Sequence, residues 1–228
     1  MATNNAALSP VAESAPAGQE KSIYRNGALW LLLAVSTMNF LDRKVASILA
    51  EPMKVDLGLS DTQVGMMTGL AFATFYTFVG IPIARYSDRF NTSRPRLIAG
   101  ALVFWSVMTA LCGMAQNFIQ LLLARIGVGA GEAGCTPPSH SLISDMFPVE
   151  KRTAALAFYG LGLPLGTMLG MSMGGIFADL FGWRTAFILC AVPGILFGLL
   201  TWALVPEPRK RLLQQNNGVV PEDHKAPP

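Results

Sequence analysis

Charge is what this sequence has least of. Only 14% of its 228 residues are Asp, Glu, Lys or Arg, against 52% hydrophobic and a mean hydropathy of +0.43. Soluble domains carry roughly 25% charged residues. So few ionised groups cannot cover a water-facing surface, and the expected solvent is lipid. Cysteine is scarce as well: Cys112, Cys135 and Cys190 lie singly inside apolar runs. They form neither a disulfide framework nor a metal-type spacing, and read as small apolar packing residues. No metal or cofactor is expected. A glycine-rich loop ending in Lys-Ser/Thr is absent, which disfavours a nucleotide-driven pump. The net charge of +3 is modest and no basic stripe with interleaved aromatics occurs, so nucleic acid is not an expected partner. An intramembrane serine protease needs its serine and histidine on separate elements. His140, the one histidine of the apolar region, adjoins Ser139, so no enzyme is expected.

The leading 20 residues lack a signal-peptide pattern: no Lys or Arg precedes Lys21, and no apolar stretch precedes position 27. Rich in Ala, Asn, Ser, Pro and Gly, they read as a flexible tail, with the boundary placed at 1–24. The first apolar run is too long for a signal core and is expected to stay in the membrane.

What is present is a series of lipid-length apolar segments, since about 20 helical residues cross the hydrocarbon core. Four are clean, at about 62–84, 97–115, 153–178 and 185–206. Two carry charge: 27–50 contains Asp42-Arg43-Lys44, and 118–140 contains Arg125 and Glu132. Short loops predict antiparallel neighbours packed into one six-helix bundle over 25–206, with 207–228 as a polar tail or the start of a linker. Lys and Arg favour the cytoplasmic side of short loops. With the amino terminus inside, twelve of the 17 basic residues fall on inner segments, two (Lys54 and Arg184) outside and three within spans. A multi-pass protein of the inner membrane with both termini cytoplasmic is expected.

The fifth segment carries Gly162, Gly166, Gly170 and Gly174 at every fourth position, with Pro164 among them. Small residues on one face let helix backbones approach closely in lipid. The proline frees a backbone carbonyl and is expected to bend the helix. A passive dimerisation face and a tight, moving helix contact are both open readings.

Ionisable groups within a span are costly unless paired or hydrated. Asp42 lies about eight residues from the outer end of the first segment. Arg125 lies about seven from the outer end of the fourth, at nearly the same depth by the ~1.5 Å rise per residue. They are expected to face each other, directly or through water. Glu132, two turns beyond Arg125 on the same face, sits about 10 Å deeper. A neighbouring guanidinium competes with a proton for a carboxylate, so Glu132, the farther from Arg125, is the better candidate for a proton that comes and goes. A static ion pair that sets helix register is the alternative. Asn39, Arg43 and Lys44 are further candidate cavity residues, although the long stems of the two cations could snorkel outward.

Several strings together resemble the amino-terminal half of the major facilitator superfamily, and within it the spinster-like transporters, over roughly 25–210. Ala84-Arg85-Tyr86-Ser87-Asp88-Arg89-Phe90-Asn91-Thr92-Ser93-Arg94 is similar to the superfamily's loop signature after the second helix, with Ala84 and Asn91 in place of usual glycines. Arg125-Ile126-Gly127-Val128-Gly129-Ala130-Gly131-Glu132-Ala133 resembles the fourth-helix signature, and Phe40-Leu41-Asp42-Arg43 the first-helix acidic motif of spinster-like members. Phe181-Gly182-Trp183-Arg184-Thr185-Ala186-Phe187 is a familiar string before the sixth helix, and the glycine repeat resembles that of exporters.

The resemblance implies half of a 3+3 inverted-repeat fold and a secondary transporter, proton-coupled, moving an amphiphilic lipid-like or organic-anion solute by alternating access. It implies coupling roles for Asp42, Arg125 and Glu132, and a cytoplasmic latch at Arg85, Asp88, Arg89 and Arg94. Substrate sites of such carriers lie between two six-helix halves, whereas this sequence stops where a linker would run. It is therefore expected to be a fragment, a truncated product, or a half-size protein that pairs with a second half or with itself in the bilayer.

Overall fold

The computed structural model describes residues 17–89 and 92–209. Within them the chain is all helical, and no strand occurs among the described residues. Helix α1 (Ala17–Ile48) is followed by the short α2 (Ala50–Leu57), which Gly58 closes with φ +62°. A capping box, in which Ser60 and Gln63 satisfy each other's backbone N–H, starts α3 (Asp61–Gly65). A π-helical turn, Met66–Leu70, then leads into α4 (Ala71–Asp88). Helix α5 (Arg94–Met114) is continuous, whereas α6 (Phe118–Glu132) and α7 (Thr136–Met146) divide one span, as do α8 (Val149–Gly160) and the start of α9 (Gly162–Leu204).

Four helical stretches are long and apolar enough to cross a membrane: Asp61–Asp88, Arg94–Met114, Phe118–Met146 and Val149–Leu204. The last has 56 residues and bends at Gly182, whose φ of +80° and ψ of 161° suit a residue without Cβ. Before Gly182 it packs on α1; beyond Gly182 it returns along α5, with Gly198 against Val103 and Ala99. Helix α1, 32 residues long, completes six crossing helices, but Asp42-Arg43-Lys44 breaks its apolar run. The core includes Leu32, Leu41, Leu102, Trp105, Leu121 and Phe187, all buried, while Trp30, Phe78, Leu123, Met168, Leu180 and Trp202 are exposed. Large apolar groups on the outside are what a lipid solvent allows.

Three local expectations change. Helix α1 begins at Ala17, so residues 17–24, read as tail, are helical; residues 1–16 of that tail lie outside the described residues. The fourth segment is not one helix. Pro137 and Pro138 cannot donate to the carbonyls four residues back, and the break follows directly after Glu132. Pro164 interrupts a helix as expected, but the break falls at Leu161, beside the Gly160 carbonyl that the proline ring displaces.

The glycine stripe is used inside the chain. A Cβ on Gly162 would strike Ser36, and one on Gly166 the Thr37 carbonyl. On Gly170 it would lie 2.7 Å from the Leu41 carbonyl oxygen, and on Gly174 an ordinary 3.4 Å from Val45 Cγ2. The two helices run parallel along this seam, tightest at its amino-terminal end, at Gly162 and Gly166.

Candidate functional site

The span breaks and the seam bring the charged residues of α1 and α6 into one interior. Asp42, Arg125 and Glu132 are 3%, 2% and 0% exposed. Their pairing differs from the simplest reading of depth. No ion pair joins Asp42 to Arg125 among the described residues; instead Arg43 Nε binds Glu132 Oε2 at 2.7 Å. Glu132, read as the carboxylate farther from Arg125, is the one with a cation, because Arg43 points inward and does not snorkel. Asp42 accepts a hydrogen bond from Thr109 Oγ1 at 3.3 Å, and its Oδ1 has no hydrogen-bond partner. The Trp105 indole is close enough to Asp42 to interact electrostatically but does not meet hydrogen-bond geometry. The charges of Arg125 and Glu132 also reach Asp42, so the three share one electrostatic environment.

Arg125 makes no ion pair among the described residues, and its Nε and Nη1 lack hydrogen-bond partners. Its guanidinium carbon lies 5.3 Å from the Phe72 ring centroid. A cavity of about 280 Å³ opens beside it, lined by Phe40, Arg43, Lys44, Thr68, Phe72 and Arg125 among others. Lys44 is exposed, so three cations border this space. A second cavity, about 380 Å³, lies beyond Phe40 and is lined by Ser36, Asn39, Thr136, His140 and Tyr159. Asn39 is buried with its Nδ2 unpartnered.

A separate polar knot forms at the other end of the bundle. Arg94, fully buried, donates to Glu207 (Nη2 at 2.5 Å, backbone N at 2.7 Å), to Asp145 (Nη1 at 2.7 Å) and to Ser141 Oγ (3.0 Å). Arg209 reaches Asp145 at 3.0 Å, Ser141 at 3.2 Å and the Ser87 carbonyl at 3.3 Å. Glu207 and Arg209, expected in a polar tail, therefore belong to the fold; 210–228 lie outside the described residues. Burying Arg94 demands such partners, and Pro206 and Pro208, which flank Glu207, were the available signal. Arg85, Asp88 and Arg89 are exposed and enter no ion pair among the described residues. Arg89 lies over Tyr86, and the Asp88 carbonyl accepts from Arg209 at 3.5 Å.

On the opposite side Asp56 of α2 accepts from Trp183 Nε1 at 3.3 Å and pairs with Arg184, whose other amino group donates to the Ala115 carbonyl at 3.2 Å. The Arg184 guanidinium beside it holds the Asp56 carboxyl below its ordinary range.

The family model described as Major Facilitator Superfamily matches residues 32–224. This chain belongs to the major facilitator superfamily. Members of the superfamily are transporters and not enzymes, and this one is a multi-pass membrane protein. Among its superfamily relatives is an MFS-type efflux pump of Mycolicibacterium smegmatis, 39% identical over 78% of this chain and 41% of that protein. A sphingosine-1-phosphate transporter of Danio rerio is 31% identical over 80% and 36%, and a probable L-galactonate transporter of Escherichia coli 31% over 81% and 40%. The chain thus spans less than half the length of these relatives. A solved inward-facing bacterial homologue of the human lysosomal transporter spinster superposes with a TM-score of 0.76 at 37% identity, covering 81% of this chain and 44% of that one. The fold is therefore the six-helix half of a major-facilitator carrier.

Proposed function

We propose that this chain is the amino-terminal half of a proton-coupled secondary transporter for an organic anion, in the range from sugar acids to phosphorylated amphiphiles. The observation that carries the reading is Arg125: a buried guanidinium with two nitrogens lacking partners, at the edge of a cavity that Arg43 and Lys44 also border. A buried cation without partners is expensive, and an anion in that cavity would satisfy it. Relatives named for sphingosine-1-phosphate and L-galactonate support the same charge preference.

Asp42 and Glu132 divide the remaining work. Glu132 is engaged by Arg43 and sets the position of α1 on α6. Asp42 has no cation contact and is the group whose proton occupancy can trade with anion binding at Arg125. An acid outer compartment would drive uptake with the inner membrane oriented as the basic residues favour, both termini cytoplasmic. Arg85, Asp88 and Arg89, exposed beside the Arg94 knot, form the face of a cytoplasmic latch against a second bundle. Phe75, Phe78 and Ile81 on α4 leave an apolar surface that suits a second six-helix half or a second copy of this chain.

In proteoliposomes of the full chain, uptake of radiolabelled L-galactonate or sphingosine-1-phosphate is expected to accelerate under an acid-outside gradient. Asp42→Asn should keep exchange and lose the gradient dependence, while Arg125→Gln should lose both. Uptake indifferent to Arg125→Gln would end the proposal. Native mass spectrometry of the purified protein reads the assembly, and a lone monomer that still transports would remove the need for a second bundle.

A further inference from the structure

One aromatic ring touches both interior arginines. The centroid of Phe72 lies 5.0 Å from the guanidinium carbon of Arg43 and 5.3 Å from that of Arg125. Arg43 is further enclosed by Tyr76 at 4.8 Å and Phe40 at 5.6 Å, and Phe72 and Tyr76 are stacked at 6.0 Å. Cations over aromatic faces gain most where water is thin, and Phe72 is buried.

Two features of the backbone put the ring there. A Cβ on Gly129 would lie 3.0 Å from the Phe72 carbonyl oxygen and 3.1 Å from its Cδ2, so glycine on α6 lets Phe72 approach closely between Arg125 and Glu132. The π-helical turn Met66–Leu70 ends one residue before Ala71-Phe72. One extra residue in a helical turn rotates everything after it by about 100°. Without that turn, residue 72 would keep the facing that the register of α3 sets up, rotated by about 100° from the one it has.

From these contacts we infer that Phe72 is a positioning residue of the anion site. It holds Arg43 against Glu132 and fixes the Arg125 guanidinium at the edge of the cavity. The inference rests on the anion-carrier reading. Two like charges around one ring repel each other, and the Glu132 carboxylate with the rings of Phe72, Tyr76 and Phe40 holds Arg43 in place, Phe72 being the one ring that also faces Arg125. If the ring is lost, Arg43 is free to swing into the cavity and compete for the anion, and Arg125 loses its fixed direction.

The experiment has a ligand arm and a ligand-free arm, both on the purified full chain in micelles. In the first, L-galactonate is titrated calorimetrically. Arg125→Gln should abolish binding, Phe72→Leu should weaken it on the order of tenfold, in line with the loss of desolvated cation–π contacts, and Phe72→Tyr should restore it. Adding Phe72→Leu to Glu132→Gln should weaken binding by much less than it does in the wild type, because both changes release Arg43. In the second, phenylglyoxal modification of Arg43 is followed by mass spectrometry. Phe72→Leu should raise its rate several-fold and Phe72→Tyr leave it unchanged. Absence of L-galactonate binding in the wild type counts against the carrier reading for this anion only. An Arg43 modification rate equal in wild type and Phe72→Leu overturns the positioning role whatever binds.

Discussion

The α1–α9 glycine seam gives a quantitative test of the fold. Alanine at Gly166 would press its methyl against the Thr37 carbonyl oxygen, 2.8 Å from Phe40 Cβ and 3.0 Å from the Leu41 amide nitrogen. Ordinary carbon contacts are about 3.5–4.0 Å, and two of these three atoms are α1 backbone that cannot rotate away. The helices must part, at a cost of about 1–3 kcal/mol for overpacking. Alanine at Gly174 meets Val45 Cγ2 at 3.4 Å and Cα at 3.5 Å and needs no such movement. Both substitutions gain the same helix propensity, about 1 kcal/mol, so that contribution cancels between them. The steric difference remains, and at about 2–4 °C per kcal/mol for a chain of this size the two melting midpoints should differ by about 2–12 °C. Thermal unfolding in detergent micelles, followed by circular dichroism, measures it. Equal midpoints for Gly166→Ala and Gly174→Ala, or a lower one for Gly174→Ala, would refute the seam as the structure draws it.

Two further outcomes follow from the polar ties at either end. Arg94→Gln leaves the buried Glu207 and the part-buried Asp145 with one guanidinium fewer, and stability should fall by about 3–5 kcal/mol; Glu207→Gln added to it should recover part of that loss in the same melting assay. Asp56 is held below its ordinary value of 3.8 by Arg184, so its contribution is present above that value and is lost as pH falls through the lower folded one. Asp56→Asn should therefore melt lower than wild type at pH 7 and converge with it when both are scanned below pH 4; parallel curves across the range would dismiss the tie.

Much of this molecule was legible because lipid imposes simple rules. Twenty apolar residues make a span, and a glycine every fourth position makes a close seam. Depth was legible too, from rise per residue, and it placed Asp42, Arg125 and Glu132 in one interior. Partner choice was not. Asp42 and Arg43 are sequence neighbours about 100° apart on a helix, and which of them meets α6 depends on how α1 is rotated by its packing on α9. The π-helical turn at Met66–Leu70 has no compositional signature, so the facing of Phe72 could not be counted from the start of α3. The break after Glu132 was within reach, since Pro137-Pro138 announce it, but the length of the apolar segment hid it. Glu207 and Arg209 look like an ordinary charged tail, and only the fully buried Arg94 at the start of α5 explains them.

The interruption between α6 and α7 has a consequence for how the bundle sits among its neighbours. Ala133 and Gly134 each present a main-chain oxygen that no amide four residues along can reach. Hydrocarbon offers nothing to bind such oxygens, so irregular backbone at that depth survives only against protein or water. Ala133 and Gly134 are both buried, against Gly80 and Ile83 of α4 and Ala101 of α5, so it is the bundle's own helices that keep the acyl chains from that side of the fourth crossing.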